Sequence, residues 1–350
     1  MIDRILGLTI VAVLTGCAAS ESHEQTGSTE QAIIAGDASG DDQNAVVLLH
    51  HAGPDDETCS ATMLAPNLLV TARHCVADDT GPNGAVVDWR AEDLHVFVGT
   101  GAFATVRGDA TKYDAVGRTI VSPASTRWYP DVAFVVLDRS LDVPTAAIRK
   151  NGGASVGETL DVVGYGLDET GERPKTRMQR HGATVSMIGP GRSPNIAEPI
   201  EKGEIVFGEA ACSGDSGGPA FSEASGALVG VASRVGNGHA ATDDAPAAFC
   251  VGATTDDIYT TLDPVADVLD RAFALAGATP VTENGTRPAD LTSAKITPAP
   301  SKSAAADDPL LSNGGGCTAA PRGSNADVGL VAALVFSVTR RRRARNARAR

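Results

Sequence analysis

The sequence predicts an all-β fold with one helix at the end of its body, and three observations carry that prediction. Between Ile33 and Cys250 the apolar stretches are short and rich in β-branched residues. Clusters of Gly, Pro, Asn and Asp separate them, as in Asp79-Thr80-Gly81-Pro82-Asn83-Gly84. A helical period is almost absent before residue 263. Many short strands divided by turn residues are the pattern of a sandwich or a barrel. Strands are expected at Val46–Leu49, Leu68–Ala72, His95–Val98, Thr119–Val121, Val132–Leu137, Leu160–Val163, Thr184–Ile188, Ile205–Phe207 and Leu228–Ala232. The helix is expected to begin at Asp263, which can cap it, with Pro264 in its first turn. Val265, Val268, Leu269, Ala272, Phe273 and Ala276 then follow a helical spacing.

Composition excludes several classes. A chain of 350 residues with 42% hydrophobic content has room for one large domain or two modest ones. With 21% charged residues, 38 Gly and 19 Pro, it is neither collagen-like, coiled-coil nor wholly disordered. The formal charge is −14, and setting aside the seven arginines of residues 340–350 leaves −21 on residues 1–339. Such a body argues against a nucleic-acid partner. No apolar run reaches the roughly 18–20 residues of a spanning helix, which argues against a polytopic membrane protein. No repeat of 20–50 residues is present.

Both ends read as addresses rather than fold. Arg4, an apolar run from Ile5 to Leu14 and then Thr15-Gly16-Cys17 make a secretory signal over residues 1–17. Leu14-Thr15-Gly16-Cys17 resembles a bacterial lipobox, which implies that Cys17 becomes a lipidated first residue. An ordinary signal peptide with an incidental Cys is the alternative. Residues 277–313 read as a linker, because their Pro, Ala, Ser, Thr and Asp cannot bury enough apolar surface to order themselves. Residues 314–350 carry Gly314-Gly315-Gly316-Cys317, a short apolar stretch at Val328–Val338 and Arg340-Arg341-Arg342-Arg343. This resembles a MYXO-CTERM sorting tail processed at Cys317; a tail-anchored helix with a positive cytoplasmic end is the other reading. Either way an exported protein is expected, associated with the cell surface or outer membrane or released.

Four cysteines remain in the body: Cys59, Cys75, Cys212 and Cys250. An even set in an exported chain reads as two disulfides, of which three pairings are possible. No Cys-x-x-Cys or clustered His accompanies them, so neither a metal nor a cofactor is expected. Asp78-Asp79 reads as a solvated turn in preference to a calcium loop.

The strongest chemical signal is Cys212-Ser213-Gly214-Asp215-Ser216-Gly217-Gly218-Pro219. Glycines let the backbone take tight turns around Ser216, and free the N–H groups of Gly214 and Ser216 to point at a developing oxyanion. A serine hydroxyl is a weak nucleophile and needs a base. Among seven His, His74 stands out in Val70-Thr71-Ala72-Arg73-His74-Cys75, at a strand end beside a Cys that can pin it. A base in turn needs a carboxylate to fix its tautomer. Asp131 stands at the mouth of the apolar strand Val132–Leu137.

These three motifs, in the order His, Asp, Ser, resemble the chymotrypsin-like (trypsin-fold) serine proteases over residues 33–276. The resemblance implies two six-stranded antiparallel β-barrels, the first over about 33–145 and the second over about 146–262, closed by the helix near 263–276. It implies a triad of His74, Asp131 and Ser216, an oxyanion hole at Gly214 and Ser216, and bridges Cys59–Cys75 and Cys212–Cys250. Gly164-Tyr165-Gly166 resembles the family's Gly-Trp-Gly. Leu228-Val229-Gly230-Val231-Ala232-Ser233 resembles its substrate-pairing strand, with Ser233 assisting Asp131. Ile33-Ile34-Ala35-Gly36 resembles the new N-terminus of an activated zymogen. Residues 18–32 would then be a propeptide, and the Ile33 amine released after Ala32 would pair with Asp215. The family's usual basic residue before that cut is absent.

The pocket by the same resemblance has Ala210 at its floor, Ser233 and Val235 on a wall and Asp257 facing the floor. Val235 narrows the slot and favours small aliphatic residues; Asp257 supports the alternative of Lys or Arg. The expected function is a serine endopeptidase acting on proteins or peptides as a monomer. A non-catalytic surface-binding homologue and an esterase using the same triad are the competing classes. Arg73 departs from the family's commoner Ala and is expected to be tolerated.

Overall fold

Six antiparallel strands close on themselves to make the first barrel. The computed structural model describes residues 33–283, apart from 54, 55 and 126. The described chain enters with the short strand β1 (Asp37–Ala38), then runs through β2 (Val46–His51), β3 (Glu57–Ala65) and β4 (Leu68–Thr71). A side ribbon follows, β5 (Ala77–Asp78) with β6 (Val87–Asp88), then β7 (Leu94–Phe97), the short helix α1 (Ala102–Gly108), β8 (Ala115–Val121) and β9 (Ala133–Leu137). Strands β2, β3, β4, β9, β8 and β7 form the closed barrel in that order, which leaves no free edge.

The second half supplies β10 (Thr159–Gly164), β11 (Met178–Thr184), β12 (Met187–Ile188), β13 (Glu204–Phe207), β14 (Pro219–Ser222), β15 (Leu228–Gly236) and β16 (Asp256–Thr261). Its hydrogen-bonded order is β1-β11-β10-β14-β15-β16-β13-β12. The second barrel assembly therefore has eight strands where six were expected. The additions are two-residue strands: β1, arriving from the N-terminal side, and β12, split from the expected Thr184–Ile188.

Besides the two-residue strands β1, β5 and β6, four longer strands lay outside the expected list: β3, β11, β14 and β16. Their buried positions include Ser60, Thr62, Ser222, Thr260 and Thr261, small polar residues that read as turn in a sequence. Here the sheet ladder carries their backbones, and the hydroxyls of Ser60, Ser222 and Thr261 find hydrogen-bond partners, whereas those of Thr62 and Thr260 have none among the described residues.

The helix α2 (Ala266–Ala276) buries Val268, Leu269, Ala272 and Phe273. That face joins the core cluster of the first barrel with Leu69, Phe134 and Val135, rather than closing the second. Asp263 does not cap it. Asp263–Val265 forms a separate 3-10 turn containing Pro264, and neither helical segment has a side-chain N-cap bond. Gly277 ends α2 in the left-handed conformation, φ 65°.

Candidate active site

Strand register brings His74 and Asp131 together. β4 and β9 are antiparallel, with Thr71 opposite Ala133. His74 lies just past the end of β4, in the turn Arg73–Cys75, and Asp131 just before β9, so both project from the same end of that pair. The imidazole Nδ1 lies 2.8 Å from Asp131 Oδ2, and the His74 amide donates to Asp131 Oδ1 at 3.0 Å. Ser233 on β15 donates its hydroxyl to Asp131 Oδ2 at 2.7 Å.

These bonds set the charge of the pair. Burial alone would raise the Asp131 carboxyl, but the His74 charge and the hydrogen bonds from His74 and Ser233 outweigh it and hold the carboxyl below its ordinary value. Burial likewise pulls His74 down, while the Asp131 charge and hydrogen bond leave the imidazole above its ordinary value.

Ser216 reaches the same place from the other barrel. β14 and β15 pair with Pro219 opposite Val231, and two further bonds, Gly217 N to Ala232 O and Ala232 N to Gly218 O, extend that ladder at 2.8 Å each. Ser216 thus precedes a strand that lies beside the one carrying Ser233. Its carbonyl accepts the Ser60 amide from β3 at 2.8 Å. Among the described residues no hydrogen bond joins the Ser216 hydroxyl to His74; both residues are half-buried, and the sulfur of Cys75, next to His74, lies 3.7 Å from the Ser216 carbonyl oxygen. The N–H groups of Gly214 and Ser216 donate to no group among the described residues, which leaves them available to a ligand oxygen. Gly214 has φ 100°, a backbone conformation that calls for glycine, and a Cβ there would also displace the Arg173 guanidinium, 2.9 Å away.

Asp215 is buried beside this loop. Its Oδ1 accepts the Gly166 amide at 2.7 Å and its Oδ2 the Cys212 amide at 2.9 Å. Burial pushes its carboxyl up to about 7, against the pull of those bonds and of Arg173. The flanking glycines of Gly164-Tyr165-Gly166 are explained here, because a Cβ at either would collide with the Asp215 carboxylate. Ile33 is fully buried in the second barrel's core with Ala210, and Ile34 N donates to Ala210 O at 2.8 Å. Among the described residues no hydrogen bond joins Ile33 to Asp215.

Asp257 and Val235 are opposed across β15 and β16. Asp257 is buried, and its Oδ2 accepts the amides of Ala210 at 2.6 Å and Ala211 at 2.9 Å. Its Oδ1 has no partner. Burial raises this carboxyl well above its ordinary value, with the Asp215 charge adding to the effect. Val235 is half-buried, and Ala210 is fully buried.

Both disulfides form, Cys59–Cys75 and Cys212–Cys250. The first ties β3 to the residue after His74; the second anchors the loop leading to Ser216. Asp78 oxygens accept from Thr80 and from Trp89 Nε1 at 3.1 Å, which is the turn expected there. Arg73 is buried and donates to the Arg127 carbonyl at 2.9 Å. Cys17, residues 18–32, Cys317 and the tail lie outside the described residues. Among the described residues no helix is long and apolar enough to cross a membrane.

Two antiparallel β assemblies, with His74 and Asp131 on one and Ser216 on the other, define the chymotrypsin-like double-barrel class. The Trypsin family model matches residues 33–251, and the chain belongs to this family. A curated relative is the chymotrypsin of Phaedon cochleariae, 26% identical over 188 residues, 50% of this chain and 62% of that protein. The chain thus spans about three fifths of the length of that relative. Among solved structures, neuropsin, a serine protease expressed in the limbic system of mouse brain, superposes with TM-score 0.50 at 16% identity. The match covers 69% of this chain and all of that one, and speaks for the fold.

Sequence reasoning missed two residues at this site, Ser60 and Arg173, and one buried arginine, Arg177, whose partners lie near the described start. Ser60 accepts the Tyr165 amide and donates to Gly214 O, each at 3.0 Å. Arg173 stands beside Gly214 and over the Phe103 ring, 5.1 Å from its centroid. Arg177, fully buried, donates to Ser39 Oγ at 2.7 Å, Gly40 O at 2.6 Å and Val46 O at 2.8 Å. Only the position of Ser60 beside Cys59 offered a signal for any of them.

Proposed function

We propose that this protein is an exported serine endopeptidase, made as a zymogen, in which Ser216, His74 and Asp131 carry the chemistry. The observation that carries the reading is the triply bonded Asp131 carboxylate, which fixes His74 with Nδ1 inward and leaves Nε2 to face the nucleophile. Ser216 Oγ adds to the scissile carbonyl carbon as Nε2 takes its proton. The oxyanion is held by the N–H groups of Gly214 and Ser216. The C–N bond then breaks, Nε2 gives its proton to the leaving amine, and water repeats the sequence to release the acyl group.

The pocket reading favours a small aliphatic side chain before the cut. Val235 restricts the slot, and an Asp257 carboxyl raised by burial, with one oxygen held by backbone amides, is a poor counter-ion for Lys or Arg. Activation follows cleavage after Ala32, with the freed Ile33 amine turning to Asp215. Ile33 has φ 56°, a left-handed conformation that costs a β-branched residue on the order of 1–3 kcal/mol and that cleavage releases. Retention at the surface rests on Cys17 or Cys317, and mass spectrometry of both mature termini tests it.

The deciding experiment is a fluorophosphonate probe on the processed protein and its Ser216→Ala variant, followed by a peptide library. Labelling of wild type alone, with cleavage after Ala or Val, is expected. No labelling of processed wild type leaves a non-catalytic binder, and cleavage after Lys or Arg that vanishes in Asp257→Gly overturns the pocket reading.

A further inference from the structure

We infer that Asp161, His181 and Glu223 form a binding site for a divalent transition-type cation, Zn²⁺ in the first instance. Asp161 belongs to β10 and His181 to the adjacent β11, and Glu223 is the first residue of the turn that follows β14 on the other side of β10. One ligand atom from each lies within 4.8 Å of the other two. The site shares no residue with the machinery around Ser216, and it stands whether or not the protein is a peptidase.

The placement follows from sheet geometry. The β10–β11 register shifts between Leu160 and Val162, so Asp161 sits at an irregularity opposite the stretch that contains His181 and Gly182. A bulge of this kind re-aims a side chain and breaks the usual alternation. On its other side β10 pairs with β14, Leu160 opposite Ser222, which sets Glu223 one step further along. His181 Nδ1 then lies 2.6 Å from Asp161 Oδ1, and Glu223 Oε1 accepts the Gly182 amide at 2.6 Å. Strands hold donor groups more rigidly than loops do.

The charge count calls for a cation. Two carboxylates converge on one imidazole, and the field of Asp37 on β1 also reaches His181. A surface His–Asp pair is complete with one carboxylate, whereas here Glu223 is brought against Asp161. A divalent ion between the three replaces the mutual repulsion with attraction. One nitrogen and two carboxylate oxygens are a donor set for Zn²⁺, leaving a fourth position to water, while Ca²⁺ asks for six or more oxygens. The Gln179 carboxamide lies 3.4 Å from the second ring nitrogen, Nε2, and orients the ring from behind.

The test is calorimetric titration of the full chain with Zn²⁺, beside His181→Ala and Glu223→Gln, together with thermal melts. Wild type is expected to take one Zn²⁺ at this site and to melt higher with zinc. Each variant should melt like wild type without zinc, lose about tenfold or more in affinity, and lose the zinc-dependent rise. Zinc binding of equal strength in both variants places the ion elsewhere and overturns the site, as does a wild type that binds Ca²⁺ in preference to Zn²⁺ or binds no zinc.

Discussion

The Ser60 amide donates to the Ser216 carbonyl at 2.8 Å, so a strand of the first barrel holds the backbone of Ser216, which the second contributes. The Ser60 hydroxyl extends the same seam, taking the Tyr165 amide and giving its proton to Gly214 O. Tyr165 in turn donates its phenol to Val46 O at 3.2 Å and Gly99 O at 2.9 Å. The relation of the barrels is thus fixed at the Gly214–Ser216 loop, by buried polar groups whose bonds leave few alternatives.

Ser60→Ala tests that seam. The backbone bond to Ser216 survives, but the buried Tyr165 amide is left without its acceptor, which costs about 1–3 kcal/mol. Denaturant unfolding should show that loss, and kcat should fall more than KM rises because Gly214 loses its anchor. Unchanged stability and unchanged kcat would refute the role.

Asp131→Asn tests the orienting carboxylate. An amide in place of the carboxylate favours the wrong imidazole tautomer, and kcat should fall about 10⁴-fold with KM nearly unchanged. Ser233→Ala, which removes one of three bonds, should cost far less. Steady-state kinetics on a peptide ester and a peptide amide decide it; comparable losses in the two variants would show that Ser233, not the charge, governs the pair.

The pH profile carries an independent reading. His74 works as a base only when neutral, and Asp131 holds its folded value above the ordinary imidazole value of about 6.5. The acid limb of kcat/KM should therefore fall above that value, with activity present at higher pH and lost as pH drops through it. In Asp131→Asn the residual activity should have its acid limb shifted downward, since burial is then opposed only by the weaker pull of the Glu57 charge. A wild-type limb below the ordinary value would contradict the arrangement.

Much of this was legible because the chemistry is written in short motifs. Gly214 to Gly218, the run into His74 and the strand after Asp131 each announce a local structure. The two disulfides were resolved by resemblance, not by spacing. What was hidden lies in residues whose roles are set by partners far along the chain. Arg177 reads as surface charge, yet it is the largest fully buried side chain and satisfies carbonyls near the described start. Asp161, His181 and Glu223 share no motif, and only the β11-β10-β14 order makes them neighbours. Asp263 reads as a cap because of Pro264, but a 3-10 turn intervenes before α2.

Asp215 yields a prediction about the uncut chain that its sequence alone does not suggest. Burial lifts its folded carboxyl to about 7, above the ordinary value near 3.9 of an unfolded Asp. The folded state then holds the proton over the interval where the unfolded state has lost it. Its contribution to stability is full below about 4 and is lost as pH rises through about 7. Asp257, raised by the same burial, acts in the same direction, so the difference between wild type and Asp215→Asn isolates the one residue. The uncleaved chain should lose stability from pH 4 to 7, and Asp215→Asn should lose measurably less, read by urea unfolding at each pH. Cleavage after Ala32 supplies an amine that favours the charged carboxylate, so processed wild type should also show a weaker decline. Processed Asp215→Asn should stay folded yet show little activity. If the uncut wild type and Asp215→Asn decline in parallel, the carboxyl of Asp215 does not titrate in this range and the activation pairing loses its electrostatic basis.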